Sequence, residues 1–218
     1  CRFGERTMQA KREKKDAVNR LGGRKDSPLY KKRQLHILKK ATRLFIKKGY
    51  AQTTMREIAA ATGIDIRNLY YFIKSKEQIL FLVFEMLHNP VYGNFKKDEI
   101  LNIDDPAQQL RTAVREMINS GYDYSDEILL MYRESKSLSK RLLKVILESE
   151  HQVFERIEEI LKKGVERKVF LIQDTSFTAN MILYQLSIYP LRHWNMKKYS
   201  RQELIDLIEK NVMKTVLP

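Results

Sequence analysis

The chain is poor in the residues that build covalent frameworks and metal centres. Its single cysteine, at position 1 of 218 residues, excludes a disulfide framework, a Cys-based zinc site and a thiol pair, and it fits a reducing cytoplasm. The four histidines, His36, His88, His151 and His193, lie far apart with no His-x-x-x-His pairing, so each reads as a surface or core residue rather than a metal ligand. No G-x-G-x-x-G, phosphate-loop lysine or G-x-S-x-G is present. These gaps leave no catalytic constellation, no metal site and no cofactor to assign. Long hydrophobic runs are also missing: the uncharged stretch Thr175 to Leu191 carries Thr175, Ser176, Thr178, Asn180, Gln185, Ser187 and Pro190, and is too polar and slightly too short to span a bilayer. Charge at the N-terminus with no apolar stretch behind it argues against a secretory signal.

Acidic residues are scarce where basic ones are dense. Residues 1 to 33 hold 12 positive and 4 negative groups, residues 34 to 80 hold 9 and 3, and residues 81 to 218 hold 20 of each, so the formal net charge of +14 sits in the first 80 residues. Residues 1–26, highly charged and with few large apolar side chains, read as a basic disordered arm. Such an arm is either a solvated tail or a phosphate-seeking element.

From Ser27 onward the punctuation and period are helical, and no segment alternates as a half-buried strand should, so the fold class is all-α. Ser27-Pro28 opens a helix over about 28–48 that Gly49 closes. Thr54 and Glu57 form a capping box for a second over 55–62, ended by Gly63. Asp65 caps a third running to about Lys74, and Ser75 with Gln78 boxes a fourth. Asp105-Pro106 and Ser125 start the fifth and sixth, the seventh runs from about Ser139 to Arg167, the eighth from Asp174 to Trp194, and the ninth from Arg201 to Val216 behind Ser200 and Glu203. About nine helices result.

The second and third helices are short, joined by a turn containing Gly63, and lie in the positive part of the chain, which is the pattern of a helix-turn-helix. On a wheel of ~100° per residue, Arg67, Tyr70, Tyr71 and Lys74 share one face while Leu69, Phe72 and Ile73 point the other way. A generic amphipathic helix shows the same split. The residues themselves go further. Ile37-Leu38, Ala41, Leu44-Phe45 and Gly49-Tyr50, then Thr53 to Ala59, Gly63-Ile64, and Leu69-Tyr70 followed by Ile73-Lys74-Ser75-Lys76-Glu77, closely resemble the DNA-binding domain of the TetR family of bacterial transcriptional regulators over about residues 33 to 80.

That resemblance implies a helix-turn-helix DNA-binding domain at 27–75 and a helical ligand-binding and dimerisation domain at 76–218. It also implies a homodimer through helices eight and nine. Thr54 and Arg56 would meet phosphate or a guanine edge, Arg67 and Asn68 would read guanine and adenine, and Tyr70 and Tyr71 would reach phosphate, Tyr71 also a thymine methyl. Lys76 is a phosphate clamp by resemblance, and Ile66 either touches bases or completes the apolar mini-core.

Met131 to Ser135 with Leu138, the region around Glu150, and Leu191 to Trp194 before Ser200 to Leu204 are more loosely similar to members that respond to acyl-coenzyme A thioesters. Arg133 and Glu134 could equally pair on a helix surface. The expected effector site comprises Met117, Tyr132, Arg133, Phe154, Met181 and Tyr184, with Arg133, Lys140 and Arg141 as cations for an anionic head. The expected protein is a cytoplasmic repressor, without catalytic activity, that binds a near-palindromic double-stranded operator and is released by a small apolar or amphipathic effector. A non-specific nucleoid or architectural DNA binder is the alternative.

Overall fold

The computed structural model describes residues 28–88 and 98–218; the basic-arm expectation for 1–26 and the Ser27 cap lie outside it. The described residues are helical: α1 (Pro28–Lys48), α2 (Met55–Thr62), α3 (Ile66–Phe72), α4 (Lys76–His88), α5 (Asp98–Leu101), α6 (Pro106–Asp123), α7 (Ser125–Glu134), a 3-10 turn (Ser135–Ser137), α8 (Lys140–Glu166), α9 (Thr175–Leu186), α10 (Ile188–Leu191), α11 (His193–Met196) and α12 (Arg201–Val216). The all-α class is therefore observed, with more and shorter helices than the expected nine.

Caps explain the boundaries that the sequence located well. Asp105 accepts from the amides of Ala107 and Gln108 ahead of Pro106, and Ser200 and Glu203 form a reciprocal capping box for α12. Three expectations need correction. The long eighth helix breaks at Ser187 and Arg192, because Pro190 has no N–H and its ring opposes the carbonyl four residues back, while the Ser187 hydroxyl bonds to Leu183 O. The third helix stops at Phe72, with Ile73 already extended at φ −145°. The Ser75–Gln78 box is not reciprocal: Gln78 N donates to Ser75 Oγ, but the Gln78 side chain accepts from Lys74 N at 2.6 Å.

The chain divides into two compact units, each assembled from two stretches of sequence. The first comprises the described residues through Met86 together with Leu130–Glu148. Ile37, Leu38, Ala41 and Phe45 of α1 pack with Ile58 of α2, Leu69 of α3, Phe81 and Phe84 of α4, and Leu138, Leu142 and Ile146 from the second stretch. Glu77 at the start of α4 accepts the Ser139 amide at 2.7 Å.

The second unit comprises Leu87–Leu129 and Ser149–Pro218. Leu110, Val114 and Met117 of α6 meet Ile157 and Leu161 of α8, Ala179 and Ile182 of α9, and Leu204, Ile208 and Val212 of α12. Arg111 and Arg115 of α6 pair with Glu209 of α12, and Arg115 also with Asp206. After α8, Phe170 folds back so closely on Gly164 that a Cβ there would stand 1.9 Å from its ring, and Lys168 turns the chain at φ 58°. Among the described residues no helix is long and apolar enough to cross a membrane.

Candidate nucleic-acid interface

α1 ends at Gly49, whose φ of +95° turns the chain, and the Gly49 carbonyl accepts the buried Thr53 hydroxyl at 2.7 Å. Thr54 then caps α2: its hydroxyl accepts from Glu57 N and donates to the Glu57 carboxylate, which also accepts Thr54 N at 2.8 Å. Lys48, in the last turn of α1, bonds the same carboxylate. These hydrogen bonds, led by that from Lys48, hold the Glu57 carboxyl down to about 2. Gly63, at φ +65°, closes α2 by donating to Ala59 O and Ala60 O, and Asp65 caps α3 by accepting from Arg67 N.

α3 is locked from behind. Leu69 and Ile73 are fully buried, and Phe72 is half-buried against Tyr30 of α1, whose ring centroid lies 5.0 Å away. The Tyr30 hydroxyl donates to Phe72 O at 2.9 Å, satisfying a carbonyl at the end of α3, and burial together with the neighbouring Tyr71 pushes the Tyr30 phenol up to about 12. Forty-two residues separate the partners, so no periodicity in the sequence points to Tyr30.

On the opposite side Arg67, Asn68, Tyr70 and Tyr71 are exposed, the two tyrosines by 48% and 62%. Arg56, on α2, is exposed too. Neither the Arg56 nor the Arg67 guanidinium bonds to any described residue, so both forks are available to a ligand with paired acceptors. The structure thus brings Arg56, Arg67, Asn68, Tyr70 and Tyr71 to the surface of one short two-helix module.

Three other expected DNA contacts sit differently. Thr54 is exposed, but its hydroxyl is engaged in the cap. Ile66 is half-buried and packs against the unit's core. Lys76 does not project as a free clamp: its Nζ donates to Tyr50 O at 2.7 Å and to Ala51 O and Thr53 O at 3.0 Å each.

The six expected effector residues fall in two groups. Tyr132 and Arg133 belong to the first unit and are exposed. In the second unit Met117 is buried in the core and Phe154 is half-buried against it, whereas Met181 and Tyr184 are exposed by 42% and 60% on the outer face of α9 beside Phe177. A cleft of about 500 Å³ on the second unit is lined by Arg111, Arg115, Asp206, Glu209, Met213 and Lys214 among others, and includes none of the six. His88, buried on α4, pairs with Glu150 at 2.8 Å, and among the described residues no cluster of side chains could hold a metal ion.

Residues 37–83 match the family model of bacterial regulatory proteins of the tetR family, and residues 104–189 match that of the tetracyclin repressor-like C-terminal domain. An uncharacterised HTH-type transcriptional regulator of Bacillus subtilis, YerO, is 28% identical over 159 residues, spanning 68% of this chain but only 52% of YerO. Among solved structures, a tetR-family regulatory protein from Rhodococcus RHA1 superposes with a TM-score of 0.78 at 21% identity, covering 85% of this chain and 97% of that one. The regulator AibR, solved with isovaleryl coenzyme A and operator DNA, superposes at 0.67 with 22% identity, covering 81% and 96%. At such identities the two structures establish the fold, while the two family models, which together span most of the described chain, establish the kinship: the protein belongs to the tetR family of bacterial transcriptional regulators.

Proposed function

We propose that this protein is a ligand-responsive transcriptional repressor that binds a near-palindromic operator as a homodimer, is released by a small amphipathic effector, and performs no chemistry on either. The observation that carries the reading is α3, a seven-residue helix whose apolar side is sealed by Leu69, with Ile73 buried just beyond its end, and whose other side offers Arg67, Asn68, Tyr70 and Tyr71. Arg and Asn can fork onto guanine and adenine edges in the major groove, and tyrosine hydroxyls suit phosphate. The concentration of the net positive charge in the first 80 residues supplies the sequence-independent attraction such reading requires.

Dimerisation falls to the faces of α9 and α12 that their own unit leaves uncovered. Phe177, Met181 and Tyr184 recur at helical spacing on α9 and are exposed by 65%, 42% and 60%, and Leu207 of α12 is exposed by 49%. This reading moves Met181 and Tyr184 from the effector site to the subunit face. For the effector, acyl-coenzyme A is the first class to test, since the structurally similar AibR is seen with one and Arg133, Lys140 and Arg141 are exposed cations. Such a repressor acts in the cytoplasm.

Selection of bound sequences from random duplex is the decisive experiment. The expected product is a two-fold repeat with half-sites one helical turn, about 34 Å, or a multiple apart, surviving ~10³-fold excess of random competitor. Acyl-coenzyme A of increasing chain length, titrated onto the selected complex, should then release it. Binding that random duplex abolishes would instead support an architectural DNA binder.

A further inference from the structure

α3 is short for an element that has to hold an orientation. Its seven residues make about two turns, a length at which a helix has little stability of its own. Asp65 caps its start, but its end lacks the left-handed residue with which Gly63 closes α2: Ile73 is already extended, and Lys74 N turns aside to the Gln78 side chain. The last carbonyls of a helix have no partner within it. For Phe72 O the partner is the Tyr30 hydroxyl, 2.9 Å away and 42 residues earlier.

Tyr30 lies in the first turn of α1, and it alone of Pro28, Leu29, Tyr30 and Lys31 is buried. Its ring is tilted by 32° against that of Phe72 and meets the ring of Tyr71 nearly edge-on, at 77° and 6.2 Å between centroids. Phe72 and Tyr71 also meet edge to face, at 5.3 Å. Ring quadrupoles favour edge-to-face pairs, so the three aromatics form one cluster with a defined geometry. Tyr30 is its buried member and Tyr71 its exposed one. Tyr71 therefore stands on a footing that α3 alone does not supply. A donor at the negative end of the α3 dipole acts in the same sense.

We infer that Tyr30 is a specificity-determining positioning residue: its hydroxyl caps the end of α3, its ring backs Tyr71, and through both it sets the aim of the side chains that α3 presents to DNA. The consequence for DNA rests on the regulator reading above, whereas the cap does not.

Loosening α3 differs from destabilising the whole unit. A variant that merely lowers the fraction of competent protein loses affinity for every duplex by the same factor, and the ratios between duplexes stand. A variant in which α3 keeps its place but loses its aim changes those ratios.

The experiment compares Tyr30→Phe, which removes the oxygen and keeps the ring, with Tyr30→Leu, which removes both. In the free protein, amide exchange across residues 70–74 should accelerate about tenfold in Tyr30→Phe and further in Tyr30→Leu, while peptides from α6 and α12 keep the wild-type rate. On the duplex selected by the wild type and its single-base variants, Tyr30→Phe should change affinity ratios by about threefold or more at a few positions of each half-site, and Tyr30→Leu should change them at the same positions by more.

Wild-type exchange in Tyr30→Phe overturns the cap. Affinities that fall by one common factor on every duplex, or do not fall, overturn the positioning role. Should Tyr30→Leu fail to fold, Tyr30→Phe decides alone, since loss of the oxygen leaves the ring packing in place. A wild type that selects no duplex would sink the regulator reading and with it the role in specificity, and exchange would then decide the cap by itself.

Discussion

At the scale of single residues, exposure and existing partners separate side chains available to a ligand from parts of the scaffold. Arg67 has an uncommitted guanidinium in the first turn of α3, so Arg67→Ala should cost about 1–3 kcal/mol and relax preference at one position in each half-site. Affinities for every single-base variant of the selected operator check this; a uniform loss across variants would reassign Arg67 to the backbone. The residue types at these positions were legible in the sequence, as was the sidedness of α3. Commitment was not legible. Nothing in the order Thr54, Ile66, Lys76 discloses that the first spends its hydroxyl on Glu57, the second fills a gap in the core and the third bonds carbonyls more than twenty residues back.

Elements are governed by their ends. The α2 cap depends on an ionised Glu57, whose carboxyl is held near 2 against an ordinary 4.5, led by the hydrogen bond from Lys48. A depressed carboxylate stabilises the fold above its unfolded value and loses that contribution as pH falls through the folded one, so α2 should loosen between about pH 4.5 and 2. Glu57→Gln should flatten that part of the acid-unfolding profile relative to wild type; an unchanged profile would show that the cap does not set it. At the end of α8, Gly164→Ala would drive a methyl into the Phe170 ring and should cost about 1–3 kcal/mol. Lys168→Gly should do the reverse and gain about 1 kcal/mol, because φ 58° strains any side chain. Urea midpoints at fixed protein concentration measure both, and opposite signs are required. Caps written in adjacent residues, such as Thr54 with Glu57 and Ser200 with Glu203, made α2 and α12 readable to the residue. The interruption of the expected eighth helix was written too, in Pro190, but its apolar composition concealed the break.

For the whole molecule, the distinction between a residue inside its own unit and one on its outer face decides which substitution tests assembly. Leu186 is 7% exposed in the core, so Leu186→Asp should unfold the protein, whereas Met181→Asp on the open side of α9 should give a folded monomer by ultracentrifugation. A Met181→Asp variant that stays dimeric would remove α9 from the interface. Periodicity showed that the segment was apolar nearly all round; only packing shows which flank is taken. The same limit applied to the residues expected to bind an effector, since Tyr132 and Arg133 lie in a different compact unit from Met117 and Phe154, and sequence spacing carries no record of that partition. The partition also bears on how the protein is made. The apolar core behind the recognition helix includes Leu130, Leu138, Leu142 and Ile146, residues synthesised after the whole intervening stretch 87–129. A nascent chain can wind α1 to α4 early, yet it cannot seal them until the ribosome has delivered the far end of the first unit. The helix-turn-helix is thus translated well before its core can close, and in the interval that core is exposed to chaperones, proteases and other unfinished chains.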